Sequence, residues 1–299
     1  MTSGGRYQIP DHVTFASAAG REATEAILRC PAKALICLDY DGTLAPIVAK
    51  PEDARPQPGM LDILQRLIPH VGGVVVVTGR PVQVILDLGG FARLTETQHL
   101  RIYGQYGQET WDGITGRLTV PPPPPTIAAA NSRLTDLLDQ VAREGIDVEG
   151  VGVEDKGLAV VVHTRRNPRP GELLEKLAPH VQRIAEELGL SAQRGRNAIE
   201  LRNSSIDKGD VVRDLLRSDV PETGIFCGDD LGDLPAFDAV SEWQRAGHHG
   251  AQVVSASGEV PELVSRADIV CDGPAGILAW LTMLADGMES QVSDQASWM

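Results

Sequence analysis

Continuous apolar runs alternate along this chain with segments in which apolar residues recur at helical spacing. Residues 34–37 (Ala-Leu-Ile-Cys) and 73–77 (Gly-Val-Val-Val-Val) form two such runs, and neither shows the alternation of a half-exposed strand. We therefore expect strands that are buried on both faces. The segment from Met60 to Leu67 has helical spacing, and Pro81 suits the first turn of a further helix. Strands that alternate with helices predict a parallel, doubly wound α/β sheet.

The same pattern continues toward both ends of the chain. A leading helix is predicted over residues 14–30, ending before Pro31. A closing helix is predicted over residues 276–285, followed by a frayed polar tail. A helix from Lys208 to Leu216 precedes the last part of the sheet, and further strands are predicted at residues 100–103, 224–227, 251–254 and 269–270.

The middle of the chain departs from this alternation. Residues 121–125 are consecutive prolines, which favour a stiff polyproline II segment over a core element. Helices at 127–144 and 171–188, with strands at 158–163 and 198–202, follow them. We interpret this set as an α+β cap domain inserted into the sheet domain. The predicted segments are core residues 1–107, cap residues 108–202 and core residues 203–299.

The composition is that of an ordinary globular protein, with 299 residues of which 42% are hydrophobic and 23% charged. The formal net charge of −14 disfavours nucleic acid and anionic membranes as partners. No apolar run approaches the roughly 18 residues of a spanning helix, and the N-terminus lacks a signal-peptide pattern. We therefore expect a cytoplasmic protein, with a monomer favoured, that acts on a small molecule. The four cysteines lack metal-ligand spacing and are expected to be buried thiols.

Two aspartates directly follow the first buried strand, in the sequence Asp39-Tyr40-Asp41-Gly42-Thr43. Open α/β sheets place their ligands at the carboxyl ends of their strands. Asp39 can act as a nucleophile that forms an aspartyl-phosphate, and Asp41 can protonate the leaving oxygen and later activate water. Gly42 and Thr43 are candidate phosphate contacts, since a glycine turn exposes backbone amides. The alternative is a turn rich in aspartate that caps a helix.

A hydroxyl and a cation are the next candidates along the chain. Thr78 ends the second strand, where its hydroxyl can bond a phosphoryl oxygen, and Gly79 and Arg80 follow as candidate substrate contacts. Taken alone, Thr78 is better explained as a helix N-cap. Lys208 opens a predicted helix, where it can neutralise Asp39 and the phosphoryl charge. The alternative is a solvated lysine.

An acidic cluster follows the strand at 224–227, in the sequence Gly228-Asp229-Asp230-Leu231-Gly232-Asp233. Three carboxylates with no basic neighbour repel one another unless a hard cation is bound, and oxygen ligands of this kind suit Mg²⁺. A calcium-binding EF-hand would need a longer loop that closes with a glutamate. The alternative to a metal site is a capped helix start. The sequence leaves open whether Asp230 or Asp233 contacts the metal.

The order of these elements resembles the haloacid dehalogenase superfamily of phosphotransferases, and the resemblance covers residues 33–284. It implies a Rossmann-like core in which Asp39 is the nucleophile, Asp41 the acid/base and Thr78 the phosphate-binding hydroxyl. It further implies that Lys208 balances charge and that Mg²⁺ is held by Asp39, the Asp41 backbone carbonyl and Asp229. An acid at position 41 fits the phosphatases and mutases of the superfamily.

The predicted cap carries two further motifs. Glu154-Asp155-Lys156-Gly157-Leu158 and Gly195-Arg196-Asn197-Ala198-Ile199-Glu200 resemble the cap motifs of trehalose-6-phosphate phosphatases. The resemblance implies hydrolysis of trehalose 6-phosphate, with sugar contacts from Glu154, Lys156, Arg196, Asn197 and Glu200. For the two glutamates and Lys156 the alternative is a set of exposed charges on a small sheet, and His163 is expected to be structural.

Several positions depart from that family's pattern. Gln105 and Tyr106 stand where the family has Asn and His, and both remain candidate substrate contacts. Gly232 and Leu234 stand where Thr and Glu are common, and Thr78 replaces a commoner Ser. Two alternatives therefore stay open: a phosphatase for sucrose phosphate or mannosyl-3-phosphoglycerate, and a non-catalytic sugar-phosphate sensor or synthase partner.

Overall fold

The computed structural model describes residues 7–48, 50–195, 197–203, 205–256 and 261–297. The chain divides into two compact units, one formed by Met1–Thr119 with Ile206–Met299 and the other by Val120–Ser205. In the first unit, the strands and helices before the division are β1 (Val13–Phe15), α1 (Ala18–Arg29), β2 (Ala34–Leu38), α2 (Met60–Leu67), β3 (Gly73–Val77), α3 (Val82–Gly89), β4 (Leu100–Gly104), β5 (Glu109–Asp112) and β6 (Arg117–Thr119).

The second unit contributes α4 (Pro125–Arg143), β7 (Gly152–Asp155), β8 (Ala159–His163), α5 (Pro170–Leu188), β9 (Ser191–Gly195) and β10 (Ala198–Arg202). The chain then completes the first unit with α6 (Lys208–Asp219), β11 (Thr223–Gly228), α7 (Leu234–Arg245), β12 (His249–Ser255), α8 (Pro261–Val264), β13 (Ile269–Cys271) and α9 (Gly273–Ser297). Within the described ranges, no helix combines the length and apolar character needed to cross a membrane.

The first unit is built on one large sheet. Its strand order is β1-β13-β12-β11-β2-β3-β4-β5-β6, and the run from β13 to β4 is parallel. The strands β1, β5 and β6 join antiparallel at the two edges. The predicted doubly wound α/β core is confirmed.

The strands β2 and β3 are apolar throughout, and helices cover both faces of the sheet there. Ile36 and Leu38 of β2 belong to a cluster that includes residues of α1, α2 and α9. Leu35 and Cys37 of the same strand belong to a second cluster that includes residues of α6 and α7. Successive side chains of a strand point to opposite faces, so both sets are buried.

The strand register brings together the loops that follow three strands. Leu38 at the end of β2 lies beside Cys227 of β11 on one side and beside Val76 of β3 on the other. The residues that follow, Asp39, Thr78 and Asp229, therefore leave the sheet at the same edge. This is the edge at which parallel α/β sheets bind ligands.

The second unit is a four-stranded antiparallel sheet in the order β7-β8-β10-β9. One face packs on α4 and α5 through the apolar side chains of Val160, Val162 and Ile199. The alternate residues face the other way, and there Glu154 and Glu200 both lie opposite Val161 in the register. The second unit spans Val120–Ser205, and the sequence had predicted an inserted cap over residues 108–202.

Several predicted boundaries need correction. Ser17 caps α1, so the leading helix begins at Ala18, and residues 13–15 form β1 instead. β5 pairs with β4 and β6 pairs with β5, so both strands belong to the large sheet. The units therefore divide after Thr119 and after Ser205, whereas the predicted cap began at residue 108 and ended at 202. The expected frayed tail is also wrong, because α9 continues to Ser297.

The core packing predicts how two isoleucines differ. Ile27 of α1 is fully buried in the first cluster, whereas Ile114 is 72% exposed. Truncation of a buried isoleucine removes apolar contacts and leaves a cavity, so Ile27→Ala should lower the free energy of unfolding by about 2–5 kcal/mol. The matched change Ile114→Ala should alter it by less than about 0.5 kcal/mol. Urea unfolding followed by circular dichroism measures both, and equal losses would contradict this packing.

Candidate active site

Three buried carboxylates meet where β2 and β11 end. Asp39 follows β2, and its amide donates to the carbonyl oxygen of Cys227 at 2.9 Å, which fixes its loop against the neighbouring strand. Asp229 follows β11, and Asp233 ends the short 3-10 turn that comes next. One carboxylate oxygen of each lies within 4.8 Å of the other two. The predicted nucleophile and two of the predicted metal ligands are therefore neighbours.

Lys208 reaches this cluster because a capping box fixes the start of α6. Asp207 is the N-cap; its side chain accepts from the Asp210 amide at 3.0 Å, and the Asp210 side chain accepts from the Asp207 amide at 3.1 Å. Lys208 is then the first residue of α6. Its Nζ lies 2.8 Å from Asp39 Oδ1 and 2.7 Å from Asp233 Oδ1.

The electrostatics of the cluster call for a further positive charge. Burial raises the pKa of Asp39 well above its ordinary value, although Lys208 acts in the opposite direction. Burial, with the charges of Asp233 and Asp230, raises the pKa of Asp229 to about 8. Burial lowers the pKa of Lys208, but the carboxylates raise it by more, so this ammonium stays charged. The raised pKa values mean that the carboxylates tend to bind protons when no further cation is present. With all three ionised, the cluster and the one ammonium would carry two formal negative charges, which a divalent cation would neutralise.

Asp230 and Asp233 occupy different positions in this arrangement. Asp233 Oδ1 accepts from Lys208, and its Oδ2 accepts from the amides of Asp229 and Asp230 at 2.9 and 3.2 Å. Asp230 is exposed, and its side chain accepts from the Gly232 amide at 2.8 Å as the cap of the 3-10 turn. Because both oxygens of Asp233 already bind protein donors, the geometry favours Asp39 and Asp229 as direct metal ligands.

Gly42 makes room for the Asp229 carboxylate. Its φ of +74° lies in the left-handed region, and a Cβ at this position would lie 2.0 Å from Asp229 Oδ2. Its amide donates to Ala45 at 2.7 Å, so this amide is used inside the loop and the predicted exposure of this amide to phosphate does not hold. The glycine, the all-oxygen ligand set and the uncompensated charge together fit a Mg²⁺ ion.

Asp41 has a different partner from Asp39. Its two oxygens accept from Arg80 Nε at 2.6 Å and Arg80 Nη2 at 2.7 Å, which is a fork-to-fork ion pair. Tyr40, between the two aspartates, is fully buried and donates from its hydroxyl to Ala54 O at 3.1 Å. Burial raises the pKa of Tyr40 to about 12, so the phenol keeps its proton.

The loop after β3 is paired with the loop after β4. Thr78 is buried, its Oγ1 accepts from the Arg80 amide at 3.2 Å, and Pro81 rather than Thr78 is the N-cap of α3. The helix-cap alternative for Thr78 is therefore wrong. The Tyr106 amide donates to Thr78 O at 3.0 Å, and the Tyr106 ring lies against Gly79, where a Cβ would be 2.8 Å from the hydroxyl oxygen.

Gln105 and Tyr106 are both held in the left-handed region, at φ values of 45° and 58°. Such conformations are uncommon for residues other than glycine and cost on the order of 1–3 kcal/mol each. The Gln105 side chain donates to Glu109 Oε1 at 3.1 Å, and Glu109 Oε2 accepts from the Val82 amide at the start of α3. A buried network thus maintains a strained loop beside the predicted phosphate loop.

Thr43 and Ser255 complete the surroundings of the aspartate loop. Thr43 is fully buried, and its Oγ1 has no hydrogen-bond partner among the described residues. A buried hydroxyl without a partner costs about 1–3 kcal/mol, so a ligand or water that reached it would be stabilised. Ser255, at the end of β12, donates to Gly42 O at 2.6 Å.

The predicted sugar contacts lie in the second unit. Lys156 Nζ donates to Glu200 Oε2 at 2.9 Å, and the pair is largely buried. Glu154 Oε2 lies 2.7 Å from His163 Nε2, so His163 pairs with one of the predicted sugar contacts. Asn197 has a φ of 56°, and Arg196 lies outside the described residues.

The sequence analysis did not predict four features of the site: the Glu109 carboxylate that accepts from the Val82 amide, the Ser255 hydroxyl, the contact of Lys208 with Asp233, and the pairing of Asp41 with Arg80. Ser255 could have been found as a polar residue that ends an apolar strand. Glu109 and the two ion pairs depend on contacts between distant segments, for which a single sequence holds no signal.

Known proteins resemble this chain over most of its length. A family model described as trehalose-phosphatase matches residues 37–274. A trehalose-phosphate phosphatase of Mycobacterium leprae is 31% identical over 215 residues, which are 69% of this chain and 47% of that protein. A trehalose-phosphate phosphatase of Mycobacterium avium is 30% identical over 272 residues, or 85% of this chain and 62% of that protein. The chain therefore spans 47% and 62% of the length of these two relatives.

Solved structures share the fold. The C-terminal domain of a C. albicans trehalose-6-phosphate phosphatase superposes with a TM-score of 0.73 at 19% identity, covering 92% of this chain and 99% of that one. The C-terminal domain of a Candida albicans trehalose synthase regulatory protein superposes with a TM-score of 0.62 at 13% identity, covering 87% and 97%. At these identities the likeness shows a common fold.

The close approach of the Asp229 carboxylate to Gly42 leads to a prediction about metal binding. Gly42→Ala should weaken Mg²⁺ binding at least about tenfold, because the new Cβ would occupy the place of the Asp229 carboxylate; loss of a metal-orienting contact typically costs 10–100-fold. Isothermal titration with Mg²⁺ measures this.

Gly116→Ala is the matched control. Gly116 has a similar φ of +65°, but a Cβ there meets nothing within 4 Å. The control carries the same backbone strain without the collision and should bind Mg²⁺ like the unaltered protein. Equal weakening in both variants would mean that backbone strain, and not the collision with the Asp229 carboxylate, lowers the affinity for Mg²⁺.

Proposed function

The chain belongs to the trehalose-phosphatase family, and on this basis we propose that it is a Mg²⁺-dependent phosphatase that hydrolyses trehalose 6-phosphate to trehalose and phosphate. The observation that carries the proposal is the buried cluster of Asp39, Asp229 and Asp233 around Lys208. A nucleophilic carboxylate beside a charged lysine and a divalent-cation site is what phosphoryl transfer to an aspartate requires. A cytoplasmic location and a monomeric state remain predictions from the sequence.

In the first step, a carboxylate oxygen of Asp39 attacks phosphorus and forms the aspartyl-phosphate. The bond from phosphorus to the sugar oxygen breaks, and the proton of Asp41 passes to that oxygen, which leaves as the free sugar hydroxyl. The Lys208 ammonium, 2.8 Å from Asp39, offsets the negative charge that the phosphoryl group brings to the site. The Thr78 hydroxyl is proposed to donate to a phosphoryl oxygen.

In the second step, the Asp41 carboxylate removes a proton from water, and the water oxygen attacks phosphorus. The bond between phosphorus and Asp39 breaks, phosphate leaves, and Asp41 again carries a proton. Held by Asp39, Asp229 and the Asp41 carbonyl, Mg²⁺ would supply positive charge that draws electron density from the phosphoryl oxygens. Asp233 would not contact the metal directly. It would position Lys208 and the loop of Asp229 and Asp230 by accepting their hydrogen bonds.

The sugar specificity is proposed to come from the second unit. Glu154, Lys156 and Glu200 offer charged hydrogen-bonding groups on and beside one face of its sheet, and a disaccharide presents hydroxyls that such groups bind. Arg196 and Asn197 are kept as additional proposed contacts. Gln105 and Tyr106, which depart from the family pattern, are proposed to contact the phosphate or the first sugar.

A regulatory role is the second candidate, because a trehalose synthase regulatory protein has the same fold. A sensor could lose its catalytic groups and keep its binding surface. This chain retains the aspartate pair, the lysine and the acidic cluster with their contacts formed. These contacts favour an enzyme, and tight binding of a sugar phosphate without turnover would favour the sensor.

The substrate and the nucleophile can be tested together. Phosphate release should be fastest with trehalose 6-phosphate in a panel that includes sucrose phosphate and mannosyl-3-phosphoglycerate, and it should require Mg²⁺. A tenfold preference in kcat/KM corresponds to about 1.4 kcal/mol. Asp39→Asn should abolish turnover while the circular dichroism spectrum is unchanged. Turnover by Asp39→Asn would refute the assigned nucleophile, and a preference for another sugar would identify the related phosphatase.

The cap contacts have a separate test. Glu200→Gln should raise KM for trehalose 6-phosphate about tenfold, since a charged hydrogen bond contributes roughly 1.5–3 kcal/mol, and should leave KM for p-nitrophenyl phosphate nearly unchanged. Glu187→Gln on α5 changes an exposed glutamate of the same unit and is the control. Equal effects on both substrates would show that Glu200 supports the fold and not sugar binding.

A further inference from the structure

Every nitrogen of the Arg80 guanidinium group donates a hydrogen bond to another residue of the protein. Nε and Nη2 donate to the two oxygens of Asp41 at 2.6 and 2.7 Å, and Nη1 donates to Pro51 O at 2.8 Å. The guanidinium carbon lies 5.7 Å from the ring centre of Tyr40, within the range of a cation–π contact. Arg80 is therefore directed at protein acceptors rather than at the surrounding solvent.

The backbone of Arg80 is anchored as firmly as its side chain. Its amide donates to Thr78 Oγ1 at 3.2 Å, and its carbonyl oxygen accepts from the Gln105 amide at 2.9 Å. Gln105 belongs to the strained loop that also places the Tyr106 ring against Gly79. Strained backbone that the surrounding contacts maintain is typical of functional sites. Here those contacts fix the backbone position from which the Arg80 side chain extends.

We propose that Arg80 is the positioning residue for Asp41, the acid/base of the proposed reaction, rather than a contact for the substrate phosphate. This inference rests on the proposed function. A planar guanidinium that binds both oxygens of a carboxylate fixes the plane and the direction of that carboxylate, which a single hydrogen bond does not. In a protonated Asp41 only one oxygen carries the hydrogen, and that oxygen keeps a lone pair that can still accept from Arg80. Both contacts can therefore persist while the hydrogen points to the leaving oxygen.

The two roles predict different dependence on the leaving group. A sugar alkoxide is a poor leaving group and needs the proton of Asp41 as the bond to phosphorus breaks. A p-nitrophenolate ion leaves without a proton at neutral pH. Loss of a positioning residue should therefore slow the sugar phosphate selectively, whereas loss of a phosphate contact should slow both substrates alike.

The experiment compares kcat/KM for trehalose 6-phosphate and p-nitrophenyl phosphate, because kcat/KM reports the steps up to release of the leaving group. In Arg80→Met, kcat/KM should fall about 100-fold for the sugar phosphate, the lower range of general acid catalysis, and less than about threefold for p-nitrophenyl phosphate. Arg80→Lys should restore about tenfold of the loss, since a lysine can bind one oxygen of Asp41 but not both. Because both substrates are measured on the same protein, partial unfolding does not alter their ratio.

The matched control is Arg101→Met. Arg101 forms a similar half-buried ion pair with Asp219, with exposures of 27% and 29% against 16% and 34% for Arg80 and Asp41. Arg101 lies near the amino end of β4, whereas the site lies beyond the carboxyl ends of the parallel strands. This variant should leave the ratio of the two kcat/KM values unchanged.

Asp41→Asn separates the inference from the proposed function. It should show the same selective loss as Arg80→Met, and the double variant should lose less than about threefold more, because groups that act as a unit are not additive. An equal loss for both substrates in Arg80→Met, with a selective loss in Asp41→Asn, would overturn the role of Arg80 alone. A non-selective loss in Asp41→Asn, or no turnover by the unaltered protein, would overturn the proposed function and this inference with it.

Discussion

Like charges held close together in a buried site are the constraint on which this structure depends. Asp39, Asp229 and Asp233 are buried within a few ångströms of one another, and burial disfavours the ionised form of each. A lysine offsets part of this repulsion, and its position is secured by the capping box that starts α6. The pairing of β2 with β11 brings the two loops to one edge. Fold, helix capping and charge balance therefore all act on the same group of atoms.

The site also contains the backbone conformations that ordinary local preferences disfavour. Gly42 is left-handed because a side chain there would occupy the place of Asp229, and Gly79 leaves space for the Tyr106 ring. Gln105 and Tyr106 adopt left-handed conformations without being glycines, and buried hydrogen bonds hold them there. At these positions of the site, local sequence preference and the final structure disagree. A site that needs fixed geometry can retain such strain when the surrounding core supplies the stability.

The parts that could be predicted from the sequence are those set by local pattern. The apolar runs of β2 and β3 predicted a sheet covered on both faces, and the acidic residues after β2 and β11 predicted the edge at which a ligand would bind. The strands β5 and β6 were missed because they are short edge strands with mixed polarity. The contacts of Asp233 with Lys208, and of Asp41 with Arg80, were missed for another reason. Each joins segments far apart in the chain, and many partners would satisfy the same residue types.

Asp39 and Asp41, the two aspartates that follow β2, are held differently because their cationic partners differ. Lysine carries a compact charge with three donors, so Lys208 can lie between two acids and contact both Asp39 and Asp233. Arginine carries a planar fork, so Arg80 binds one acid through both of its oxygens and fixes its direction. These contacts suit the proposed roles, because a nucleophile needs its charge balanced while one oxygen stays available, and an acid/base needs a fixed direction of proton transfer. Exchange of the two cations would give each aspartate the wrong constraint, although the net charge of the site would be the same.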